Sequence, residues 1–170
     1  MSADLTPVIA ACTRWLVAAY PPPPGALNAA LAHAQAHQAA TLAAHLRYAT
    51  DLDVQLLHLL APSGTGRLDW ITGHHAEPEE TAWRTWVDET VVSWAACLLA
   101  DPALAARAHR TPAGSGGTAH VAGLRRLTHP GPHDSEAAVL LRHPDLLDAV
   151  AALHRSELAE LLDAEDAAAA

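Results

Sequence analysis

The chain has 170 residues and a formal net charge of −9. That length suits one domain, which buries roughly 70% of the surface its unfolded chain exposes and needs neither disulfides nor metal merely to fold. The acidic balance, with arginine scattered and only Arg125 and Arg126 adjacent, excludes the clustered basic face that a phosphate backbone requires, so no nucleic-acid partner is expected.

Hydrophobic residues make up 51% of the chain, but alanine and leucine dominate, phenylalanine is absent and β-branched residues are sparse. This favours helix over strand. The expectation is an all-α fold, a single helical domain over 1–170 built as a bundle of five to seven helices. The start carries Asp4 in place of a basic leader, and Arg14 interrupts its apolar run, so it reads as a helix of the mature domain and not as a secretion signal.

Thr6-Pro7 offers an N-cap hydroxyl and a proline whose missing N–H costs nothing there, which predicts a first helix to about Tyr20. Val8, Cys12, Trp15, Leu16 and Ala19 form its apolar face. The run PPPPG at 21–25 stops it and acts as a stiff connector. From about 26 to 60 the pattern is helical throughout, the longest helical unit, with Thr50-Asp51-Leu52-Asp53 able to cap a second helix and bend the run. Residues 61–77 read as a mobile loop.

Acidic residues around Pro78 suit the positive end of a helix dipole and open a tryptophan-rich helix to about Ala100. Asp101-Pro102 starts a short helix through His109, and 111–117 is a second mobile loop. A weaker helix covers Thr118 to Thr128, HPGPHD is a turn, another short helix ends before His143, and the last helix runs from Pro144 to about Asp163 ahead of a frayed tail at 164–170. No apolar run reaches the roughly 20 residues of a membrane span, so no membrane partner is expected. Cys12 and Cys97 fall among core-type residues and read as reduced, buried thiols of a cytoplasmic protein.

Twelve histidines offer the chemistry. On the long unit, Leu27, Leu31, Ala34, Leu42, Leu46, Ala49, Leu52, Leu56 and Leu60 make one stripe by helical spacing. His45 lies inside it, His37 flanks it, and His33 and His58 point away, so the HxxxH pair at 33 and 37 reads as a decoy, since a metal site is expected to need ligands converging from a desolvated wall and one of these faces solvent. On the last helix, Leu146, Val150, Leu153 and Leu161 define a stripe that also holds His154 and Glu157, neighbours at a spacing of three. His120 shares a face with Val121, Leu124 and Leu127. Trp83, Trp86, Thr90 and Trp94 share a face of the tryptophan-rich helix.

Polar groups on apolar faces must meet partners or line a wet pocket. Convergence of His45, His120, His154 and Glu157 would suit Zn²⁺ or a non-haem iron, with a position open for water. Without metal, Glu157 would orient His154 as a general base, with His45 beside it. Trp83, Trp86, Thr90 and Trp94 would then line a pocket for an apolar or aromatic small molecule. The alternatives are a non-catalytic module that binds a small molecule or a protein partner, and inward histidines that are purely structural. His74, His75 and Glu77 form a second candidate cluster in a loop. The chain contains no HExxH, ExxH pair, Walker loop, GxGxxG or GxSxG. Five tryptophans and a leucine-rich unit exceed what one small core readily hides, which makes a homodimer an expectation as well.

Overall fold

A computed structural model describes residues 4–74, 81–112 and 123–170. The described residues form an all-α bundle without strands. Its centre is α2 (Ala26–Arg47), which packs against α1 (Thr6–Ala19) on one side and α5 (Glu89–Ala100) on another. Alanines make this possible: Ala32, Ala36, Ala39, Ala40, Ala43 and Ala44 are all fully buried, so neighbouring backbones approach closely on several sides of the helix. The N-cap of α1 is Leu5 and not Thr6, with the Asp4 carboxylate accepting the Thr6 N–H at 2.8 Å.

The long unit divides at Thr50. The Asp53 amide donates to Thr50 Oγ1 (3.2 Å) and the Thr50 amide donates to Asp53 Oδ2 (2.9 Å), a reciprocal capping box that opens α3 (Asp51–Leu60). Only Val54 and Leu57 of α3 are buried. The expected stripe fails at both ends, since Leu27, Leu52, Leu56 and Leu60 are exposed while the alanine face takes their place in the core.

The loop expected at 61–77 contains a helix, α4 (Gly66–Thr72). Leu68 reaches the core, and Asp69 accepts the Trp15 indole N–H at 2.9 Å and pairs with Arg84, which pins the segment to α1 and to a 3₁₀ turn at Ala82–Trp86. The tryptophan-rich helix is correspondingly shorter. The chain is extended at Val87 and Asp88, where the Asp88 carboxylate accepts the Val91 N–H at 3.1 Å and caps α5. Asp101 likewise caps α6 (Pro102–Arg110) by accepting from Ala103 and Leu104.

The short helices α7 (Arg125–Thr128), α8 (Pro132–Ala137) and α9 (Val139–Arg142) follow. The turn expected at HPGPHD is partly helical, because Pro132 begins α8 and Asp134 accepts the Gly131 N–H at 2.9 Å. Fully buried Gln35 of α2 holds these elements, donating to the Asp134 carbonyl at 2.9 Å and accepting from Arg142 Nε at 2.7 Å.

The last helix is broken in two, α10 (Pro144–Ala151) and α11 (Arg155–Ala169), and α11 continues through most of the expected tail. The break is made from outside. Ser93 Oγ donates to the Ala151 carbonyl and accepts the His154 N–H, both at 3.0 Å, while Trp94 Nε1 donates to the His154 carbonyl at 2.9 Å. Backbone groups orphaned by the break thus find partners on α5. Leu147, Val150, Ala151, Leu158 and Leu162 are the buried residues of this region, while Leu146 is exposed and Leu153 and Leu161 are only partly buried. Among the described residues no single helix is long and apolar enough to cross a membrane.

Candidate functional site

Because His154 stands at the N-cap of α11, its ring projects between the first turns of α11 and α5. Nδ1 lies 2.9 Å from Glu157 Oε1 and Nε2 lies 2.8 Å from Glu89 Oε1. Burial alone would lower the imidazole's proton affinity, but hydrogen bonds to Glu157 and Glu89, with their charges, outweigh it and hold the pKa above the ordinary histidine value. Two carboxylates clamp the ring, one at each nitrogen, and favour its protonated form. Its side chain is 19% exposed and that of Glu89 15%, whereas Glu157 is 53% exposed, so one half of the clamp is sheltered and the other wet. Arg67 stands 3.5 Å from the same Glu89 oxygen.

This geometry joins His154 to Glu157 as their spacing implies, and adds Glu89, which no local pattern marks. It does not gather the larger constellation. His45 is partly buried on α2, both ring nitrogens of His154 are already engaged by carboxylates, and His120 lies outside the described residues. Among the described residues, no three His, Cys, Asp or Glu side chains are grouped to hold a metal. Of the loop cluster, His74 is partly buried at the end of the described segment, and His75 and Glu77 lie outside it.

The aromatic residues also separate. Trp94 is buried on α5 with its indole N–H spent on the His154 carbonyl. Trp83 and Trp86 belong to the 3₁₀ turn. Trp83 lies under the Arg14 guanidinium at 4.7 Å, and Trp86 meets His58 edge to face at 5.7 Å. His58 is exposed, as expected, yet Nε2 reaches the Asp4 carbonyl at 3.0 Å and ties α3 to the start of α1.

A concavity does exist elsewhere. The end of α2, the inner side of α3 and the start of α5 enclose a groove of about 360 Å³, and Thr90 is the one expected pocket residue that lines it. Its wall is Leu56, Leu57 and Leu60, and its polar side carries Tyr48, Asp53 and Asp88, with Arg47 also in the lining. The Tyr48 hydroxyl donates to Asp88 Oδ2, while Oδ1 of the same carboxylate caps α5. Burial, then the hydrogen bond and charge of Asp88, push the Tyr48 pKa well above the usual phenol range, so the hydroxyl stays protonated as a donor. At one end of the groove Ala61 adopts φ 60° and ψ 155°, a region favourable only to glycine. Ser63 beside it accepts the Glu89 N–H at 2.8 Å.

The sequence contains a signal for part of this site that the helical-face reading passed over. Asp88 stands three positions before the run VVSW that begins at Val91, as a helix N-cap does. Tyr48 and the α3 leucines carry no such mark. Compared with models of known protein families, with curated proteins and with solved structures, the chain matches none.

Proposed function

We propose that this protein is a helical binding module whose α2–α3–α5 groove takes a small amphiphilic molecule, with an apolar body and one hydrogen-bonding or cationic head. The observation that carries the reading is the pairing of an apolar wall with a polar side in one concavity. Leu56 and Leu60 are 44% and 77% exposed on α3, where water leaves them uncovered, opposite the Tyr48–Asp88 pair. A volume of about 360 Å³ falls within the range of small-molecule sites, about 300–1,000 Å³. Asp53 and Asp88 outnumber Arg47 in the lining, which favours a cationic head over an anionic one. The strained backbone at Ala61 adds support, since such strain concentrates at ligand-binding positions.

An enzyme using His154 as acid or base draws less support, because a general base needs one ring nitrogen free to face its substrate and both are held here. Fluorescence titration with N-phenyl-1-naphthylamine tests the binding reading. Saturable binding of one probe per chain is expected, weakened at least tenfold in Leu56→Asp and Leu60→Asp, with octylamine displacing the probe more readily than octanoate. Non-saturating binding, or parental affinity in either variant, would overturn it.

A further inference from the structure

His33 and His37 stand one turn apart on α2 and both are exposed. Their rings are parallel within 9° and their centroids are 6.3 Å apart. Neither ring has a hydrogen-bond partner among the described residues. α2 carries no Asp or Glu to hold either imidazole as a cation, and the nearby Thr41 hydroxyl is spent on the His37 carbonyl at 2.7 Å.

We infer that His33 and His37 form a two-imidazole chelate for a divalent transition-metal ion, Cu²⁺ foremost. Side chains at positions i and i+4 are neighbours on a helix, so the backbone already supplies the spacing that a chelate needs. An ion held at ~2 Å by one nitrogen of each ring brings the centroids to roughly 5 Å, slightly nearer than they stand. Exposed side chains make such a rotation freely. Neutral imidazole suits copper, nickel and zinc, and the general order of divalent affinities puts Cu²⁺ above Ni²⁺ and Zn²⁺; Mg²⁺ prefers oxygen. With two protein ligands and water in the other positions, the site is open and exchangeable. This differs from the closed, buried centre that the inward histidines suggest.

Calorimetric titration of the full chain with CuCl₂ in a non-coordinating buffer tests the assignment, with folding checked by circular dichroism. His33→Ala and His37→Ala are each expected to weaken the tightest equivalent at least tenfold, and the double variant to lose it. His143→Ala, which removes another exposed histidine, should leave it unchanged. The Cu²⁺ electron paramagnetic resonance spectrum should show two equatorial nitrogens in the parent, and MgCl₂ should give no binding heat. Retention of the tightest equivalent by the double variant, or parental affinity in either single variant, would overturn the proposal.

Discussion

α2 and α3 are consecutive helices of opposite character. α2 is rich in alanine, histidine and glutamine, yet ten of its 22 residues are buried; six of the ten residues of α3 are leucine or valine, yet only two of the ten are buried. Burial here follows position in the bundle, not hydrophobicity. The central helix has neighbours on several sides and needs small side chains to admit them, whereas the peripheral helix has one inner side and leaves the rest of its leucines in water. A leucine stripe is therefore a poor guide to the core when alanine carries the packing, because alanine contrasts weakly with its polar neighbours.

Substitutions that separate the two helices break or sharpen this contrast. The largest effect is expected for Leu42→Ala on α2, which empties a fully buried site and should lower unfolding free energy by about 3 kcal/mol in urea titration. Ala40→Leu should cost about 2 kcal/mol by overpacking a fully buried site; a stabilised variant would mean that α2 has room to spare. Removing the joint with Thr50→Ala should cost about 1 kcal/mol, with the loss of amide protection confined to α3 in hydrogen exchange.

At the α10–α11 joint the effect is smaller and depends on pH. The folded His154 pKa is raised, so its clamp stabilises the protein fully below the unfolded histidine value, about 6.5. The contribution is lost as pH rises through the folded value. The stability advantage of the parent over His154→Gln should thus shrink between pH 6 and pH 9; an advantage that grows with pH would contradict the clamp. The smallest effect is at Leu59, 79% exposed, where Leu59→Ser should change thermal stability by less than about 0.5 kcal/mol. A loss comparable to that of Leu42→Ala would mean that α3 is covered in solution by a second copy or another partner.

What was legible followed from local chemistry. The helical class came through alanine and leucine content, and the divisions at Thr50 and Asp101 through side chains that cap their own helices. His154 and Glu157 were legible as neighbours because three residues of helix separate them. The break before His154 was not, since Ser93 and Trp94, some 60 positions earlier, supply the partners that make it favourable. Glu89 and the Tyr48–Asp88 pair escaped for the same reason: each contact is created by packing between helices distant in sequence.

The capping box at Thr50 also makes the start of α3 independent of the rest of the bundle. Because Thr50 and Asp53 satisfy each other's amides within one turn, α3 keeps its N-terminal hydrogen bonds even when it swings away from the bundle. Such a swing would cost the packing of Val54 and Leu57 and the His58 tether, and none of the buried alanine seam of α2. At its other end the chain is tied to the start of α5 through Gly64 and Ser63, so α3 is a self-capped rod fixed to the bundle at both ends.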